Sequence, residues 1–97
     1  MHKRVLQISC GLGFSVETVE QLERILAAII LELNRADLKH PPMDGCEEGI
    51  ETLRCEVQEL NREVKRLNRD DEAMLKEAVQ VGAMAVKFMR DCCKAKP

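Results

Sequence analysis

The chain has no tryptophan or tyrosine and only two phenylalanines, Phe14 and Phe88, so aliphatic side chains and five methionines must fill any interior. That filling suits packed helices better than a β-sandwich. Proline and glycine are scarce, three and five in 97 residues, and they cluster, which leaves room for long helices with short joints. Positive charge is not in excess: a formal net charge of −2 gives no basic footprint for a nucleic-acid polymer. A phosphate-rich ligand would therefore need something other than net protein charge to attract it, such as a divalent metal. The longest strictly apolar run, Leu26 to Leu31, is far too short to span a bilayer, and no signal-peptide pattern follows His2, Lys3 and Arg4. Cys10, Cys46, Cys55, Cys92 and Cys93 are odd in number and lack C-x-x-C or His-containing metal spacing, so they read as reduced thiols. The expectation is one cytoplasmic domain with no membrane partner.

What is present is helical periodicity. Residues 1–14 show none, and Val5, Leu6 and Ile8 fit a short extended piece or the start of a helix equally well. The segment reads as a lead-in able to move, with a single domain over residues 15–97. Ser15 is a good N-cap, flanked by Phe14 and Val19 at hydrophobic-staple positions. From there Val19, Leu22, Leu26, Ile29 and Leu33 recur at helical spacing to about Leu38, where His40-Pro41-Pro42 ends the run. Asp44 with Glu47 resembles a capping box and predicts a second helix starting near Gly45. Its stripe, Ile50, Leu53, Val57, Leu60, Val64 and Leu67, is the clearest periodic signal in the chain. After a short polar joint, Asn68 to Asp71, a third helix is predicted from Asp71 to about Cys93. The fold class is all-α, with three main helices. Apolar faces this wide call for cover, and self-association would provide it.

The third helix is apolar almost all round between Ala78 and Met89, yet Glu77, Gln80, Lys87 and Asp91 share one stripe of it with Met84. A carboxylate on such a face must be paired, protonated or holding a cation. A short joint makes the second and third helices antiparallel neighbours. Glu56 and Glu59 are centred as far before Asn68 as Glu77 and Gln80 are after it, so with equal rise per residue the two i, i+3 pairs meet at one level. Two such pairs facing each other form an oxygen-lined pocket suited to Mg²⁺ or Mn²⁺. Glu63 is placed by its spacing as a further carboxylate. Surface ion pairs for the glutamates, a core amide for Gln80 and a solvated helix end for Lys87 and Asp91 remain the alternatives at this point.

Glu56-Val57-Gln58-Glu59-Leu60 followed by Glu77-Ala78-Val79-Gln80 resembles the E-x-x-E … E-x-x-D signature of MazG-like all-α nucleoside triphosphate pyrophosphohydrolases. The likeness extends to the approach K-H-P-P-M-D-G-C-E-E-G (Lys39 to Gly49) and to E-A-V-Q-V-G-A-M-A-V-K-F (Glu77 to Phe88). These are similar to a small phage and bacterial sub-branch reading roughly K-x-P-P-x-x-S-x-H-E-G and E-A-x-Q-V-A-A-M-A-x-R-F. The match covers about residues 25–93. It implies an antiparallel helical bundle completed as a homodimer or a dimer of dimers, and Mg²⁺ held by Glu56, Glu59 and Glu77 as metal ligands and catalytic residues. The reaction implied is cleavage of a nucleoside triphosphate between the α- and β-phosphates to monophosphate and pyrophosphate. Lys87 and Asp91 are weaker candidates for substrate contact. The chain departs from the family pattern at Gln80, where the wider family has Asp, at Cys55, where many relatives have Glu, and at Gly45 and Glu47, which replace Ser and His. A relative that binds nucleotide or metal with little turnover, and a helical oligomerisation module without ligand, are the two other functions the sequence admits.

Overall fold

A computed structural model describes residues 3–94. Among these the chain is all-α, with α1 over Lys3–Gly11, α2 over Val16–Lys39, α3 over Cys46–Val64 and α4 over Asp71–Asp91. The three main helices of the sequence reading are α2, α3 and α4. Part of the lead-in is helical too: α1 approaches α2 and no other helix.

Local chemistry sets most of the boundaries. Ser15 caps α2, its hydroxyl accepting from the Thr18 N–H at 3.2 Å. His40 turns extended at φ −133° and ψ 145°, as a residue before proline must, and ends the helix. Asp70 caps α4 by accepting from the Glu72 N–H at 3.0 Å. Two expectations need correction. The Asp44–Glu47 capping box does not form, because the N-cap of α3 is Gly45 and no side chain bonds there. Asp44 stands one residue too early. The α3 stripe also ends sooner than the apolar spacing suggests: the last helical turn closes at Lys65, and Leu67 lies beyond it, fully exposed. With no facing side chain to pack on, Leu67 gains nothing by extending the helix.

α4 is the central element. It packs against both α2 and α3, whose backbones do not approach each other. Gly49 of α3 lies against Phe88 and Cys92 near the end of α4, whereas Glu56 lies against Gln80, so the two helices run antiparallel. Ala83 is completely buried, and Ala36, Met43 and Met84 join it with Ile29, Leu33, Leu53 and Phe88 packed around them. Small residues at the crossing let the backbones come close. The consequence is a thin core: among the described residues no large side chain is fully buried. The chain is also spread out, with a radius of gyration of 15.0 Å where a compact domain of this length has about 13 Å. No helix among the described residues is long and apolar enough to cross a membrane.

The two glycines facing α4 and α2 differ in what they tolerate. A Cβ at Gly49 would stand 2.7 Å from Phe88 Cδ2 and 2.9 Å from Cys92 Sγ, whereas one at Gly82 would meet only the flexible tip of Ile29 at 3.0 Å. Overpacking of this kind costs about 1–3 kcal/mol, against a gain of about 1 kcal/mol from replacing glycine within a helix. Thermal unfolding should therefore show Gly49→Ala lowering the Tm and Gly82→Ala leaving it level or raising it.

Candidate metal centre

Across the α3–α4 hairpin the two E-x-x-E/Q pairs do meet. Glu56, Glu59 and Glu77 each bring a carboxylate oxygen within 4.8 Å of the others. The side-chain amide of Gln80 reaches between them. With its NH₂ turned inward it donates to Glu56 Oε2 at 3.1 Å and to Glu77 Oε2 at 3.0 Å. With its carbonyl turned inward it adds a further oxygen to the cluster, an arrangement that repels unless a cation sits among the four groups. The donor set is all oxygen, which matches Mg²⁺, Mn²⁺ or Ca²⁺ and not a thiol- or imidazole-preferring metal. These residues fit a divalent ion.

The electrostatics have the same origin. Burial pushes the Glu56 carboxyl above the usual glutamate range, and the charges of Glu59, Glu77 and Glu32 push it further. Burial also raises Glu77, helped by Glu59 and Glu63. Glu63 acts on Glu77 through its charge but is not among the three gathered carboxylates, and its own carboxylate is held by Arg66 at 3.5 Å. Glu32 of α2 is a contributor that the sequence reading missed. It is mostly buried, is paired with Arg35 at 3.0 Å and faces Glu56 from the other flank of α4. A signal for it existed: Glu32 interrupts the run Ile25, Ile29, Ala36 on one helical stripe, the same mark that singled out Glu77.

A cleft of about 240 Å³ opens from Glu56 and Gln80 between α2 and α3, with Arg35, Lys39 and His40 along one side and Met84 in its floor. A second hollow of about 250 Å³ shares Ala36, His40, Thr52 and Met84 with it and continues to Pro41, Met43 and Lys87. Together they form one groove, with Glu32 and Glu56 at one end, Arg35, Lys39 and His40 along the rim, Glu48 and Lys87 toward the other end and Met84 beneath. A larger hollow, about 590 Å³, lies elsewhere, between α2 and the start of α4, with Leu31, Leu75 and Val79 in its wall. None of the four clustered oxygen-bearing residues lines it, so the chemistry belongs to the smaller groove.

Lys87 lines the far end of that groove and Asp91 bonds to Met43 in its wall; neither lies at the carboxylates. Lys87 is only 3 % exposed and its Nζ donates to Asp37 Oδ1 at 2.9 Å. Arg90 grips the same Asp37 with two hydrogen bonds of 2.9 Å, and its Nε donates to Asp91 at 2.9 Å. The Arg90 and Lys87 cations hold the Asp37 carboxyl far below its usual range, and Arg90 does the same more mildly to Asp91. Asp37 and Arg90 were not singled out by sequence reasoning, because each looks like an ordinary charge at the end of a helix.

The two sets of shifts act on stability in opposite pH ranges. Glu56 and Glu77 bind protons more tightly folded than unfolded, so their contribution is full below the ordinary glutamate pKa and is lost as pH rises through their raised values. Asp37 and Asp91 contribute above the ordinary aspartate pKa and lose that contribution as pH falls. At neutral pH the cluster is therefore a source of repulsion that a neutral isostere or a cation relieves. Glu56→Gln should raise the Tm of the metal-free protein at pH 7 by a few degrees, since roughly 1 kcal/mol corresponds to about 4–8 °C for a domain of this size. The same variant should lose the stabilisation that Mn²⁺ gives the wild type, both read by differential scanning calorimetry. No family model matches the chain, and neither does any curated protein or any solved structure.

Proposed function

We propose that this protein is a Mg²⁺-dependent nucleoside triphosphate pyrophosphohydrolase, releasing nucleoside monophosphate and pyrophosphate. The observation that carries the reading is the approach of the Glu56, Glu59 and Glu77 carboxylates to within 4.8 Å of one another at the end of a groove with a basic rim. Glu56, Glu59 and Glu77 would hold the ion, with Gln80 supplying a carbonyl oxygen. A bound divalent ion would neutralise the triphosphate and lower the pKa of the attacking water. Mg²⁺ commonly takes only a few protein carboxylates and completes its shell with substrate phosphates and water, which suits a cluster of this size. Arg35 and Lys39 offer positive charge where a polyphosphate would leave the acidic end. The apolar floor of Ala36, Met43 and Met84 offers a surface for the base.

Self-association belongs to the same proposal. Ile30, Leu31, Leu38, Ile50, Val57 and Leu75 are exposed on an open, thin-cored chain. A second copy that covers them would complete a helical bundle and wall in the groove. Gln80 favours one competing reading, a protein that binds metal and nucleotide with little turnover, because a neutral amide holds a divalent ion less strongly than the aspartate of the family pattern.

Incubation with the common NTPs and dNTPs plus Mg²⁺, with detection of pyrophosphate, separates the two. Turnover is expected, and it should fall by about 100-fold or more in Glu77→Ala, since even partners one layer behind a metal's ligands are worth about 10–100-fold. Thermal stabilisation by metal and nucleotide without product would instead favour the binder. Activity that survives Glu77→Ala would remove the cluster from the chemistry.

A further inference from the structure

We propose that Asp91, braced by Arg90 and Asp37, is a positioning residue that fixes the connector between α2 and α3 as a wall of the nucleotide groove. The inference rests on reading that groove as the nucleotide site. The connector begins with Pro41 and Pro42, which have no N–H to donate. Met43 is the first residue after them that can donate, and its N–H donates to Asp91 Oδ2 at 3.0 Å. Among the described residues this is the one hydrogen bond made by residues 41–44. Pro41 and Met43 both line the groove beside Lys87, so where Met43 is held sets the groove's width at the end away from the carboxylates.

Asp91 is aimed at Met43 by its own neighbour. Arg90 Nε donates to Asp91 Oδ1 at 2.9 Å, while the other end of the same guanidinium is clamped on Asp37 in the last turns of α2. Lys87 Nζ, buried below, donates to that Asp37 as well. A planar guanidinium held at both ends has little freedom, so the carboxylate it orients has little either. The linkage runs from α2 through the end of α4 to the connector that leaves α2. It is neutral in sum, two carboxylates against two cations, which makes it a brace and not an anion trap. Asp91 itself does not line the groove, and its effect on a ligand is exerted through Met43 and Pro41.

The test uses the full chain and α,β-methylene analogues of the common nucleoside triphosphates, titrated with Mn²⁺ present, alongside Mn²⁺ titrated alone. Asp91→Asn should weaken the tightest analogue by a few-fold and Asp91→Ala by about tenfold, the scale of one lost hydrogen bond. Neither should change the affinity for Mn²⁺ alone, because the carboxylate cluster lies at the other end of the groove. Asp91→Asn keeps the shape of the side chain and carries the test if Asp91→Ala fails to fold. Analogue binding equal to wild type in both variants would overturn the inference while leaving the proposed function standing. A proportional loss of Mn²⁺ and analogue would also overturn it, by showing a general loosening of the fold. Wild-type protein that binds Mn²⁺ but no analogue would sink the nucleotide reading, and the inference with it.

Discussion

Like charge brought together beside an apolar seam is the constraint on which the rest of this structure turns. Glu56, Glu59 and Glu77 converge although each repels the others, and burial makes the ionised forms of Glu56 and Glu77 costlier still. A fold selected only for stability would separate them or put an arginine between them. Arginines are at hand. Arg54 and Arg66 pair with Glu51 and Glu63, and Arg35 with Glu32, yet none is paired with the three clustered carboxylates. These three arginines are spent around the cluster and not on it.

The packing explains how the repulsion is tolerated. α4 touches both neighbours through small residues, Ala83 at full burial and Gly82 against Ile29, while Gly49 of α3 admits Phe88 and Cys92. The hairpin is thereby locked at the end opposite the joint, and the glutamates lie between that lock and the joint. A second fixed point is the ionic brace of Asp37, Lys87, Arg90 and Asp91, in which removing Asp37 would strand Lys87 unpaired in the interior. The carboxylates are held at their level by contacts made elsewhere. That arrangement is what preorganised binding of a cation requires, because the cost of gathering the charges is met before the ion arrives.

The level matching across the hairpin was legible because it depends only on helical rise and on where the chain folds back, and both are written in the spacing of apolar residues and the Asn68–Asp71 joint. The caps at Ser15 and Asp70 were legible for a similar reason: one side-chain oxygen and one backbone N–H suffice. The failures arose where tertiary context decides. Leu67 has the right period for α3 but nothing to pack on. The approach segment has the letters of a capping box, but Gly45 takes the N-cap position. The helix in Lys3–Gly11 does have an apolar side, but nine residues are too few for periodicity to tell a helix from an extended piece. Glu32, Asp37 and Arg90 come from helices that approach only in three dimensions, so no spacing along the chain joins them to Glu56 or to Asp91.

Gln80 carries the argument furthest. An aspartate in its place would add a fourth negative charge to three that already repel, and only a bound ion would make that arrangement comfortable. With its NH₂ turned inward the amide donates to Glu56 and Glu77 and quiets the cluster. Under the proposed function, the opposite orientation would offer its carbonyl oxygen to an ion. A neutral side chain at this position therefore has a physical logic of its own: it lowers the repulsion within the cluster, and it would lower the grip on any ion by the same token. A centre built this way would take up its metal most firmly when another oxygen ligand, such as a phosphate, arrives with it.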